Sequence, residues 1–410
     1  MKSKSSLNIT LFIFLGLVLG ILFGLFMPGR YEFLLPVVQL FSGVYMNALQ
    51  LMIYPLVFCS LVVGIQGIGS VSATGRVGLQ SVIYFTCTTL FASLLGLFLP
   101  KALNLGSGVT IEMAEANVEA TQFTSLLDTV RNLIPANPIA AFANGNMLQV
   151  LVFAIIIGIT CLALKEKAQP FVKVVQSVND ISIKIISVVM YFTPIGVFCS
   201  IASVIYANGT ETIVALGAVL VALYVTMFLY ALVVYGGVVK IIGKCGVRKF
   251  FVKVLPAALN AFGTCSSSAT LPISKKCADD LDVPNEISSF ALPLGATINM
   301  DAVSILMSFM IVFFANACGV PVSFGLLAIV LLSNTLLSIG TPGVPGGAIA
   351  SFAALSSIAG LPAGIMGVYI SINTLCDMGA TCCNVLGDLA CSVAMKETVK
   401  LDKGAAETEK

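Results

Sequence analysis

Residues 260–272 read NAFGTCSSSATLP, and whether this stretch is helical decides the fold. It sits in the middle of an apolar segment, 249–285, and a straight membrane-spanning helix would not tolerate such a centre. Two half-helices meeting at a non-helical tip would. Irregular backbone at membrane depth survives only where it is buried in protein or lines a cavity. A second interrupted stretch, LSIGTPGVPGGA at 337–348, lies inside the apolar segment 322–362. Paired broken segments are the best sequence pointer to a transporter's binding site. The alternative is a pair of loosely packed Gly-rich helices. Each broken segment is followed by an uninterrupted apolar one, at 286–316 and 365–397, so a hairpin-then-helix unit repeats.

Composition agrees. The chain has 410 residues, 58% hydrophobic and 10% charged, against roughly 25% charged in soluble domains. It lacks the polar surface to cover a soluble globule. Further apolar runs near the ~20 residues needed to cross a bilayer lie at 8–27, 35–65, 78–102, 147–165, 174–206 (with a break near Pro194) and 213–243. The first is too long for a signal peptide's apolar region and no small-residue cleavage motif follows it. The expectation is an all-α polytopic membrane protein with eight transmembrane helices and two re-entrant hairpins. Positive charge sets orientation. With Lys2 and Lys4 inside, the segments around Arg76, 165–173, 240–253, Lys275, Lys276 and 396–403 also fall inside, while Arg30, Lys101 and Arg131 fall outside. Both termini are thereby expected on the cytoplasmic side of the plasma membrane.

The net charge of +2 and the lack of a basic patch with interleaved aromatics argue against a nucleic-acid partner. Histidine is absent, which removes His-based catalysis and metal binding. Most of the 12 cysteines lie in apolar runs, and no CxxC occurs, so they read as small hydrophobes.

Three acids lie deep in spans: Asp301, Asp377 and Asp388. No Lys or Arg occurs between Cys277 and Met395 to neutralise them. An intramembrane carboxylate is a functional residue by default. Asp377, Thr381, Asn384 and Asp388 are separated by four, three and four residues, which puts them on one helical stripe. Asn299, Asp301, Thr88, Thr89, the serines 266–268 and residues 338–341 add hard oxygens. Carboxylates without basic partners, hydroxyls and freed carbonyls suit alkali cations, whereas soft metals would want Cys or His.

At these residues the chain resembles the dicarboxylate/amino acid:cation symporters, which include glutamate transporters and neutral amino acid exchangers. The likeness spans nearly the whole chain. It is most specific in GTCSSSATLP, LPLGATINMD, SIGTPGVPGG and DMGATCCNVLGD, with support from PANPIAAFANGNMLQVLVFAIIIGI and TPIGVF. The resemblance implies an inverted-repeat, elevator-type homotrimer. Its scaffold would comprise about 8–65 and 147–206. Its mobile transport part would comprise 78–102, 213–243 and 249–397, gated by the second hairpin. It implies more than one Na+ site: Asp388, Asn384, Asn299 and Gly295 in one; Thr297, Ser338, Ile339 and Thr341 in a second; Thr88, Thr89, Asn299 and Asp301 in a third. Asp377 and Thr381 match residues holding a substrate ammonium. Asn384 and the backbone near Ser266 and Ser267 match those holding its α-carboxylate, and Cys265 and Val344 would offer carbonyls.

Departures from the pattern bear on the substrate. Acidic-substrate members carry Arg where this chain has Ala380, and commonly Thr where it has Val303. An unpaired buried carboxylate would be costly, so a neutral amino acid is expected, with an acidic amino acid or dicarboxylate as the alternative. An Arg found elsewhere in the family's site is replaced by Cys265 and Met378. Met307 stands where animal members carry a Glu linked to potassium or proton coupling. An intramembrane aspartyl protease fits poorly, because Asp377 and Asp388 lie ~16 Å apart along one helix and no GxGD is present.

Overall fold

The computed structural model describes residues 3–28, 32–73, 76–107, 134–144, 146–341, 343 and 346–399. Every regular element among them is helical. The helices are α1 (Ser3–Phe26), α2 (Leu35–Gln50), α3 (Ile53–Ala73), α4 (Arg76–Ala102), α5 (Pro138–Ala143), α6 (Met147–Leu164), α7 (Gln169–Val189), α8 (Thr193–Tyr230), α9 (Gly236–Ile241), α10 (Val247–Thr264), α11 (Ser267–Asp280), α12 (Asn285–Ile298), α13 (Asp301–Ala317), α14 (Phe324–Gly340), α15 (Gly347–Ile358) and α16 (Ile365–Thr398). Among the described residues, four helical stretches are long and apolar enough to cross a membrane: Gly78–Ala102, Val214–Ile241, Asn285–Ala317 and Ile365–Thr398.

Both interrupted segments fold as helix, tip, helix. At the first tip, α10 ends on Cys265 in the left-handed conformation (φ 49°, ψ 34°), and Ser266 caps α11 by accepting a hydrogen bond from the Ala269 amide at 3.2 Å. At the second tip, α14 gives way to extended Thr341, and α15 restarts after Gly346 at φ 80°.

Four of the expected spans are drawn differently. The segment 286–316 is not continuous: it breaks at Asn299 and Met300 between α12 and α13. Asn384 of α16 explains how the break is tolerated, since its Oδ1 accepts the freed Ala302 amide at 2.8 Å. The span 35–65 splits into α2 and α3. Pro55 has no amide to donate to Leu51, and its ring would crowd that carbonyl in a continuous helix. Conversely, 174–206 and 213–243 are not separate rods. The chain breaks before Pro194, as expected, but α8 then runs unbroken for 38 residues to a π-helical turn at Ala231–Tyr235.

Helix α13 is apolar nearly all round and is buried along its length except at Asn316, as such a helix must be. It packs on α4, α16 and α14; α16 in turn packs on α8, α10, α11 and α12. The two tips meet at the centre of this group, where the Ser266 hydroxyl and the Ser268 amide both donate to Gly343 O, at 3.1 and 3.3 Å.

Candidate substrate and cation site

Where the tips meet the α12–α13 break and the middle of α16, Cys265, Ser267, Met300, Val303, Thr341, Gly343, Ala348, Asp377, Thr381 and Asn384 line a small, partly open cavity with a free volume of about 10 Å³, room for about one water in this arrangement. None of these residues is basic. Asp377 is buried, yet its hydrogen bonds are long: Thr381 Oγ1 donates to Oδ1 at 3.3 Å and the Gly346 amide to Oδ2 at 3.4 Å. Those neutral contacts leave a carboxylate facing the cavity with acceptor capacity to spare.

Asp301 lies one layer away and is fully buried. The Thr89 hydroxyl donates to its Oδ1 at 2.7 Å, and the Tyr230 and Tyr235 hydroxyls approach its Oδ2 at 3.1 and 3.0 Å. Asp388 accepts from Asn299 Nδ2 at 2.8 Å, and the same amide approaches Asn384 O at 3.1 Å. Asn299 Oδ1 is buried and has no partner. An orphaned amide oxygen beside a carboxylate, with no cation side chain in reach of either, is the donor set expected of a site for a hard monovalent ion. Gly295 belongs here too, since a Cβ on it would run into the Asp388 carboxylate.

The structure gathers most of the expected residues, with exceptions. Thr297 is exposed, and its hydroxyl donates to Leu294 O at 2.8 Å within its own helix. The Thr88 hydroxyl approaches Phe85 O but also neighbours the Asp301 carboxylate, while the Thr88 carbonyl accepts from Tyr230. The Ser338 and Thr341 hydroxyls donate to Thr335 O and Leu337 O, and Thr341 Oγ1 also lies 2.7 Å from Ser351 Oγ. Ile339 is half-buried against Gly64 of α3. Ala380 and Ser266 are buried but absent from the cavity wall, whereas Val303 is in it. Val344 lies outside the described residues. Sequence reading missed Tyr230, Tyr235, Met300, Gly343 and Ala348. Two tyrosines inside apolar spans were the available signal, because a buried phenol seeks a partner.

The model of the sodium:dicarboxylate symporter family matches residues 9–398. The chain belongs to that family. Its members are transporters, not enzymes, and with the apolar helices this makes it a membrane protein. The chain is 28% identical to the proton/sodium-glutamate symport proteins of Geobacillus stearothermophilus and Bacillus caldotenax, over 94% of its own length and 93% of theirs. It is also 28% identical to C4-dicarboxylate transport protein 1 of Pseudomonas paraeruginosa, over 96% of this chain and 89% of that one. Those names speak of glutamate and C4-dicarboxylates. They lend no support to the neutral-substrate expectation and favour the acidic alternative.

Proposed function

We propose that the protein is a sodium-coupled symporter that carries a small amino acid across the bacterial cytoplasmic membrane, with Asp377 holding the substrate ammonium. The observation that supports this is the weakly bonded Asp377 carboxylate facing a cavity without a basic lining residue. An ammonium there would make charge-assisted contacts stronger than the neutral ones it replaces. Thr381 and Asn384 would position the backbone of the substrate, and the Ser267 amide at the start of α11 would receive its carboxylate, the next two amides being already bonded to Gly343 O and Ser266 Oγ.

Asn299, Asp301, Thr89, Asn384 and Asp388 would hold sodium, which when bound supplies the positive charge that the buried carboxylates lack. Asn384 connects the two sites: it lines the cavity, its carbonyl accepts from Asn299, and its side chain caps α13. Occupancy on one side thus biases geometry on the other, and such coupling is reciprocal. The finer architecture follows the resemblance: eight crossings with cytoplasmic termini, two re-entrant hairpins, a homotrimer, a scaffold, and an elevator-like transport part gated by the second hairpin.

On the substrate side chain, we infer a neutral one. Val303, Ala348 and Met300 present apolar surface, and a carboxylate buried among them would go unpaired. The second reading, an acidic amino acid or dicarboxylate, has the names of the relatives in its favour. A competition panel in proteoliposomes with a sodium gradient decides, using alanine, serine, larger neutral amino acids, aspartate, glutamate and a C4-dicarboxylate. The neutral reading expects only neutral amino acids to compete; displacement by glutamate or the dicarboxylate at lower concentration establishes the other. Undiminished uptake with choline in place of sodium refutes sodium coupling itself.

A further inference from the structure

One turn along from Asp301, the same pair of helices carries a second polar cluster that the proposed transport sites do not use. Ser93 lies four residues after Thr89 on α4, roughly 6 Å along the axis, and Ser304 lies three residues after Asp301 on α13, roughly 4.5 Å along. Ser308 follows on the same face. Asn334 of α14 reaches in between them: its Nδ2, with two hydrogens to donate, lies 2.8 Å from Ser304 O, 2.7 Å from Ser308 Oγ and 3.1 Å from Ser93 Oγ. Ser93, Ser304, Ser308 and Asn334 are each 0% exposed. Two of their oxygens, Asn334 Oδ1 and Ser304 Oγ, have no hydrogen-bond partner.

An unmet buried acceptor costs about 1–3 kcal/mol, and here two sit on residues joined by one hydrogen bond. Reversing the Asn334 amide does not remove the problem, because its oxygen would then face the Ser304 carbonyl. The cluster offers hydroxyl and amide oxygens and no thiol, imidazole or ammonium. Asp301 precedes Ser304 by three residues on α13, and the field of its carboxylate favours a cation. We propose that Ser93, Ser304, Ser308 and Asn334 form an additional site for a monovalent cation, one helical turn from Asp301 and bridging α4, α13 and the first limb of the second hairpin. The proposal rests on the sodium-coupled reading above.

Ser304→Ala is the informative variant, because the hydroxyl it deletes makes no bond within the protein. If nothing binds there, the variant relieves a buried unpaired group; thermal stability should stay level or rise, and sodium dependence should not change. If the site is occupied, the sodium concentration giving half-maximal thermal stabilisation of the purified full chain should rise by roughly three- to tenfold, the effect of one lost oxygen ligand. Thallium(I) exchanged for sodium should give anomalous density beside Asn334 Oδ1 in wild type and lose it in Ser304→Ala. Thallium density beside Asp301 or Asp388 but none at Asn334, or an unshifted sodium response in the variant, overturns the site. A wild type whose stability ignores sodium overturns the sodium-coupled reading instead.

Discussion

Two residues at the cavity differ in what their neighbours demand of them. Asp377 has weak internal bonds and stands ready for an external partner, so its charge is expected to matter for binding more than for folding. Asp377→Asn keeps the shape and one of the two acceptor oxygens while removing the charge, and the bond it gives up is one of two long ones, at 3.3 and 3.4 Å. Loss of one partner from a buried charge pair costs roughly 2–5 kcal/mol, and calorimetry on the purified variant should find amino acid binding abolished or weakened to match, with the thermal midpoint nearly unchanged. Wild-type affinity would remove Asp377 from the ammonium role. Cys265 is different: it adopts φ 49° at the hairpin tip, where a non-glycine residue is strained by roughly 1–2 kcal/mol. Cys265→Gly should raise the thermal midpoint, and Cys265→Val, β-branched at a positive φ, should lower it. If both variants melt with wild type, the tip carries no such strain.

At the scale of elements, the hairpins were legible because glycine, proline and serine interrupt an apolar run at two places. The α16 stripe was legible because Asp377, Thr381, Asn384 and Asp388 repeat at helical spacing and the helix proved continuous. The break between α12 and α13 was not legible. Nothing in TINMD forbids a helix. The chain leaves it there because Asn384, 82 residues from Ala302, supplies the acceptor that the freed amide needs. The hydroxyl cage of Asp301 escaped for the same reason, since Tyr230 and Tyr235 lie 71 and 66 residues from it and only tertiary packing brings them close. Asn384→Ala therefore tests an element through a side chain on another. It strands a buried amide at the start of α13, at a cost of about 1–3 kcal/mol. The thermal midpoint without ligand should fall, and hydrogen exchange should rise selectively in the first turn of α13. Unchanged exchange there would assign the break to something other than Asn384.

At the scale of the whole molecule, two seams differ in kind. Helix α1 packs along α8 with Gly20 and Gly24 set against the backbone of Phe198 and Ala202, close enough to lock the pair. Helix α3 meets the second hairpin through Gly64, where an added Cβ would come within 2.9 Å of Ile339 O. That second seam lies between the segment expected as scaffold and the tip expected as gate, so it is the one that must slide if transport is elevator-like. Gly64→Val places a branched side chain against a backbone carbonyl, and overpacking of that sort typically costs 1–3 kcal/mol. The cost falls on the present arrangement and not on the cavity, whose lining does not include Gly64. Binding and transport should therefore separate. Amino acid affinity measured in detergent should stay within a few-fold of wild type, while sodium-driven uptake into proteoliposomes should fall severalfold, because the relative population of the two seam positions has shifted. Equal losses of binding and uptake would mean that Gly64 supports the site itself, and full retention of uptake would mean that this seam does not move.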